Sequence, residues 1–215
     1  MASFAARRLT ECFQMPFSEY ARTQLMQSQE ALTAAAESEA FLGELEAVYK
    51  AITDCFRAGG KLLLAGNGGS AADAQHIAGE LVARLNFDRA PLPAIALTVD
   101  TSVLTAVGND YSFEHVFERQ VQALGRGGDV FVGISTSGRS PNILRAMCKA
   151  RELGLVTVAF CGSQKTEILD LSDLVLRAPA HQTSLVQQIH IAAAHIICAR
   201  IESALFRDAV HSVEG

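Results

Sequence analysis

Four residues with charged or proton-active side chains, Asp73, His76, Glu80 and Arg84, recur at i, i+3, i+7 and i+11. On an α-helix that spacing is one stripe. Ile77, Leu81 and Leu85 form a second stripe beside it, suited to packing. Ahead of both lies the turn Gly66-Asn67-Gly68-Gly69-Ser70, and ahead of that the apolar run Leu62-Leu63-Leu64-Ala65. A run of that length reads as a buried strand. Strand, small-residue turn and helix start make an anion site, because free backbone N–H groups and the positive end of the helix dipole point out of the turn. A charged stripe alone is usually a solvated face, with Glu80 and Arg84 a surface pair. The glycine turn in front of it brings a functional role level with that reading. The turn is not GxGxxG, and no GKS or GKT follows it, so neither a dinucleotide site nor a Walker loop is indicated.

A second small-residue turn is more specific. Ser135, Thr136, Ser137 and Ser140 surround Gly138, with Pro141 at the first position of a following helix. One or two hydroxyls there would be helix caps; four exceed that need, and hydroxyls with end-on amides suit a sugar phosphate. A third group lies in the last helical segment. It is apolar on nearly all sides, yet carries Gln187, Gln188, His190 and His195. Buried polar residues need partners.

The elements that must position these groups follow from the pattern. Residues 1–21 have weak patterning, with Pro16 as a breaker, and read as an N-terminal extension. Residues 22–60 form a helical arm with a break near Glu37-Ser38, closed by Gly59-Gly60. Strands are predicted at 62–65, 94–97, 130–134, 155–161 and 174–176. Helices are predicted after the first turn, over 102–106, 113–124, 141–152 and 183–206, with a turn at Gly108-Asn109-Asp110. Residues 207–215 read as a loose polar tail. Alternating strands and helices predict an α/β three-layer sandwich with a five-stranded parallel sheet. Ligands in such sheets sit at the carboxyl ends of the strands, where both turns fall, so the two face one pocket.

The 215 residues are 49% hydrophobic with a net charge of −5, enough for one full core and unsuited to a nucleic-acid surface. No apolar run reaches membrane-spanning length, and the N-terminus lacks the apolar segment of a secretory signal. Five cysteines without CxxC spacing read as buried thiols of a cytoplasmic protein.

The blocks GNGGSAADAQHIAGE, TVDTS, GNDYSFEHVF, GDVFVGISTSGRSPN and QQIHIAAAH resemble the phosphoheptose isomerases, a branch of the sugar isomerase (SIS) fold. The resemblance runs from about Phe56 to Phe206. It implies a flavodoxin-like SIS domain over 61–206 and an aldose–ketose isomerase. The substrate would be sedoheptulose 7-phosphate and the product D-glycero-D-manno-heptose 7-phosphate, for lipopolysaccharide or capsule. It implies zinc held by His76, Glu80, Gln187 and His195, with Glu80 the base at carbon and His195 the partner acid/base. It also implies sugar and phosphate contacts from Asn67, Gly68, Gly69, Glu80, Asn109, Asp110, Ser135, Thr136, Ser137, Ser140 and Gln187, and a homotetramer with its sites at subunit contacts. Helical periodicity alone aligns Gln188 with His195 better than Gln187, which is ~80° off. Family members often carry a basic residue and Ile before the glutamine, and a Gly-Gly pair after the fourth strand. Here Leu185-Val186 and Gly162-Ser163-Gln164-Lys165 stand there. A non-catalytic alternative, relatives that bind the replication initiator protein, lacks the catalytic histidine. A sugar-phosphate sensing module would bring a DNA-binding segment, and the first 60 residues show none.

Overall fold

Leu62, Leu63, Leu64 and Ala65 are all buried, because their strand lies inside the sheet and packs on both faces. In the computed structural model, which describes residues 15–210 (side chains to 206), β1 spans Leu62–Gly66 and pairs in parallel with β2 (Ala94–Ala96) on one side and β3 (Val130–Ser135) on the other. β4 (Val156–Cys161) and β5 (Leu174–Arg177) complete a five-stranded parallel sheet of order β2-β1-β3-β4-β5.

Successive side chains on a strand point to opposite faces, and the core divides accordingly. Leu62, Leu64, Val130 and Val132 pack with Val48, Ile52, Ile77, Ala194 and Ile197. These come from α2 (Glu39–Arg57), α3 (Gly69–Val82) and α7 (Thr183–Val210). Leu63, Ala65 and Phe131 face the other way, onto Val107 of α4 (Thr101–Asp110), Val121 of α5 (Glu118–Leu124), and Ile143 and Met147 of α6 (Pro141–Glu152). The three layers expected from the sequence are present.

Several boundaries differ from expectation. The first helix, α1, spans Phe17–Ala36, so the arm starts five residues before Arg22. Pro16 stands at its N-cap and starts the helix instead of breaking it, as suits a residue with no N–H to donate. Ser38 caps α2 by accepting from the Phe41 amide, which is the break foreseen near Glu37-Ser38. The predicted turn at 108–110 is the last turn of α4. The Asp100 carboxylate caps that helix and fixes its start. The single helix expected over 113–124 is a 3₁₀ turn, Phe113–His115, followed by α5. α7 continues through residues 207–210, read as loose tail. Residues 1–14 of the extension and 211–215 of the tail lie outside the described residues.

Two readings of apolar content also change. α7 is long and apolar enough to cross a membrane by length and composition, although the sequence showed no uninterrupted run. Its Val186, Ile189, Ala193, Ile197 and Ile201 are buried against the sheet layer. Of the cysteines, Cys55, Cys161 and Cys198 are buried as expected, but Cys148 is exposed, and Cys12 lies outside the described residues.

Candidate active site

The order β2-β1-β3-β4-β5 reverses direction between β1 and β3, and crevices at such switch points are where open α/β sheets bind ligands. Both small-residue turns leave the sheet there. Gly66 ends β1 so close to the next turn that a Cβ would stand 2.3 Å from the Ser70 carbonyl oxygen. Gly68, the N-cap of α3, has φ +56°, open to glycine at little cost. α3 therefore begins directly behind β1, and its Ser70 and Ala71 amides donate back to the Asn67 and Gly68 carbonyls of the turn. In the second turn Gly138 has φ +63°, the Ser135 and Ser140 hydroxyls lie 3.1 Å apart, and Ser137 Oγ accepts from the Arg139 amide at 3.3 Å. The Thr136 carbonyl accepts from Gly162 N–H. Ser140 makes no side-chain cap to α6; its hydroxyl pairs with that of Ser135 instead.

The turns are joined by a pair of amides. Asn67 Nδ2 donates to Asn142 Oδ1, and Asn142 Nδ2 donates to Asn67 Oδ1, both at 2.9 Å. Asn142 is buried and was not foreseen. In sequence it reads only as the residue after Pro141, in the first turn of a helix.

His76, Glu80 and His195 converge. His76 Nε2 and Glu80 Oε1 are 3.0 Å apart, one helical turn along α3. His195 Nε2, from α7, lies 3.0 Å from His76 Nε2 and 3.3 Å from Glu80 Oε1. The imidazoles are about half exposed, while the Glu80 side chain is 10% exposed. Three heteroatoms in so tight a triangle suit a cation better than protons. A proton on either nitrogen can serve one edge only, and the two lone pairs otherwise face each other. Tetrahedral bonds of about 2.0–2.1 Å to zinc place ligand atoms about 3.3 Å apart, close to these edges. Glu80 Oε2 is buried without a nitrogen or oxygen partner. The cluster can hold a metal ion.

Gln187 packs over the glycine turn. A Cβ on Gly69 would stand 2.5 Å from Gln187 Nε2, so glycine there leaves room for the amide. Gln188 is exposed. Contact with the site therefore falls to Gln187, although helical period favoured its neighbour. Of the four polar residues expected to be buried in α7, only His190 is. Its Nε2 meets the Cys161 carbonyl at 3.1 Å and its Nδ1 has no partner. Burial pushes the His190 imidazole down to about 4.

Other expected groups lie elsewhere. α3 ends at Val82, so Arg84 leaves the stripe, and Glu80 pairs with the histidines instead. Asp73 stays on α3 with Oδ2 buried and unpartnered, and burial pushes its carboxyl up. Asn109 and Asp110 sit exposed at the end of α4, where Asn109 Nδ2 donates to Asp110 Oδ1. Among the described residues they make no hydrogen bond to the His76–Glu80–His195 cluster.

A doubly wound sheet with two small-residue turns at its switch point is the frame of the SIS domain, and the SIS-domain family model matches residues 25–162. The chain is 55% identical over 185 residues to a phosphoheptose isomerase of Bradyrhizobium sp. (strain ORS 278), covering 86% of this chain and 93% of that one. It is 46% identical to one from Aneurinibacillus thermoaerophilus, covering 92% and 100%. Among solved structures, the phosphoheptose isomerase GmhA from Neisseria gonorrhoeae superposes with a TM-score of 0.82 at 39% identity, covering 87% of this chain and 100% of that one. One from Francisella tularensis gives 0.83 at 34% identity, covering 88% and 100%. The chain belongs to the phosphoheptose isomerase family of SIS-domain proteins.

Proposed function

We propose that the protein is the isomerase that converts sedoheptulose 7-phosphate to D-glycero-D-manno-heptose 7-phosphate through an enediol, for heptose of lipopolysaccharide or capsule. The observation that carries this reading is the meeting of His76, Glu80 and His195 on a chain 46–55% identical to phosphoheptose isomerases. Isomerisation moves a proton from C1 of the ketose to C2 and shifts the carbonyl the opposite way, so it needs a base at carbon and an acid/base at oxygen. Glu80 takes the C1 proton and returns it to C2. Its low exposure keeps the carboxylate out of water. His195 gives a proton to the C2 oxygen and takes one from the C1 oxygen through Nδ1, the ring nitrogen not turned to His76 and Glu80. The Ser135, Thr136, Ser137 and Ser140 turn, with the Gly68-Gly69 amides, binds phosphate, and Asn67, Asn109, Asp110 and Gln187 bind the sugar.

His76, Glu80, Gln187 and His195 hold zinc, a choice supported by an oxygen and nitrogen donor set with near-tetrahedral edges. When bound, it polarises the substrate carbonyl and orients it. The protein acts as a cytoplasmic homotetramer. His195 facing Glu80 favours this reading over a non-catalytic relative that binds the replication initiator protein.

The test is incubation of purified protein with sedoheptulose 7-phosphate, followed by NMR for the heptose 7-phosphate. Formation that stops in Glu80→Gln supports the reading. Absence of product with metal-loaded wild type refutes it.

A further inference from the structure

Away from the proposed site, the most completely buried ion pair among the described residues is that of Arg89 and Glu202, whose side chains are both 0% exposed. Burying such a pair costs several kcal/mol per ion before the mutual attraction is counted, so each of its nitrogens and oxygens should have a partner. Each does. Arg89 Nε donates to Glu202 Oε1 at 3.2 Å. Arg89 Nη2 donates to the Glu80 carbonyl at 2.8 Å, and Nη1 to the carbonyls of Leu81 at 2.6 Å and Ala90 at 3.0 Å. Glu202 Oε1 also accepts from the Leu85 amide, and Oε2 from the Asn86 amide and side chain. The Arg89 guanidinium lies 5.6 Å from the Phe206 ring centroid, within cation–π range.

The identity of these partners matters more than their number. The Glu80 and Leu81 carbonyls belong to the last turn of α3, the end of a helix where orphan carbonyls attract a cation. That turn carries the Glu80 side chain. Glu202 sits on α7 seven residues after His195, so the two lie on nearly the same face, two turns apart. α3 and α7 are thus pinned twice, once at His76–Glu80–His195 and once at Arg89–Glu202.

We propose that Arg89 and Glu202 are positioning residues that set the register of α3 against α7, and so hold Glu80 and His195 at their working distance. The proposal rests on the isomerase and zinc reading above. Neither residue touches substrate. Their effect passes through the last turn of α3 to the Glu80 carboxylate, and through α7 to the His195 ring. Outer residues that orient metal ligands commonly change metal affinity by about 10–100-fold.

The experiment compares wild type with Glu202→Gln and Arg89→Lys, with Asp129→Asn as a control. Asp129 is also a buried carboxylate; it binds Lys61 and the Arg126 amide at the opposite end of the sheet. Glu202→Gln removes the charge and puts an amide donor against one of the two backbone donors, Leu85 or Asn86, whichever oxygen it replaces. Arg89→Lys keeps the charge but offers one ammonium to groups that the guanidinium reaches together, and it serves as the readout if Glu202→Gln does not fold. Zinc is titrated against a chelating indicator, melting temperatures are recorded, and turnover of sedoheptulose 7-phosphate is measured with zinc in excess. The expected result is zinc affinity reduced by about tenfold or more, with a similar fall in kcat and a KM within about threefold. Asp129→Asn, at a comparable loss of melting temperature, keeps wild-type zinc affinity. Clamp variants that bind zinc and turn over like wild type would overturn the proposal, as would an equal loss of zinc affinity in Asp129→Asn. Wild type that neither binds zinc nor forms product would instead refute the functional reading.

Discussion

Glu80 meets two demands at once. One carboxylate oxygen faces two imidazoles, and the other is buried with no nitrogen or oxygen partner. Glu80→Gln keeps the shape and removes the basic oxygen, so turnover should fall by about 10²–10⁴-fold, with phosphate-dependent binding retained. Single-turnover kinetics and substrate titration separate the two, and activity within tenfold of wild type would remove Glu80 from the role. His190 supports a prediction of another kind. Its folded pKa is about 4 against the ordinary 6.5, because the buried ring resists charging. Between those values the unfolded chain binds a proton that the folded chain does not, so stability falls as pH drops from 6.5 to 4 and levels off below. The loss is on the order of 3 kcal/mol at its full extent. Melting curves from pH 7 to pH 4.5 should show a steeper decline for wild type than for His190→Gln. Parallel slopes would mean that His190 charges freely in the fold.

At the scale of elements, close packing limits substitution. Gly133 lies under α6, where a Cβ would meet Ile143 Cγ2 and Met147 Sδ, each at 2.9 Å. Gly133→Ala should destabilise by about 1–3 kcal/mol, as measured by urea unfolding, and should shift the hydroxyl turn that α6 carries. That turn is the proposed phosphate site. Ser137→Ala with Ser140→Ala should raise KM by roughly tenfold per hydroxyl while kcat changes less, and a reversed split would place these hydroxyls at the carbonyl end. The elements differ in how plainly the sequence announced them. Strand–glycine turn–helix and strand–hydroxyl turn–proline were legible because backbone geometry demands those residue types locally. His76 and Glu80 were legible as helix neighbours, and the part of His195 through resemblance to the family. Arg84 was misplaced because nothing local shows that α3 ends at Val82, where Arg89 takes the Glu80 and Leu81 carbonyls. That capture depends on Glu202, 113 residues from Arg89. Gln187 was hard to choose by period because contact with Gly69 is set by the approach of α7 to the turn, not by alignment with His195.

Across the whole molecule, apolar surface remains uncovered. On α7 Ile196, next to His195, is 56% exposed. It lines a groove with Leu42, Leu45 and Tyr49 of α2, while Leu25 and Met26 of α1 are also exposed. A second copy of the chain would cover such faces in the closed symmetric assembly of the proposed tetramer. Ile196→Glu should yield smaller particles by sedimentation velocity and lower activity, since the altered residue adjoins His195. Wild type that sediments as a monomer at micromolar concentration while fully active would exclude this. Dialysis against a strong chelator should abolish turnover, and added zinc should restore it. Activity that survives complete metal removal would exclude a catalytic role for the ion.

His195 comes from the last helix of the chain, and its partner His76 lies 119 residues earlier. At about 5–20 residues per second, the ribosome makes His76 roughly 6–24 s before His195. A nascent chain cannot assemble the full ligand set during that interval, however well its early strands have folded. A product truncated before α7 would lack both His195 and Glu202. Under the proposed reading, chemistry would therefore come only after α7 has docked against α3.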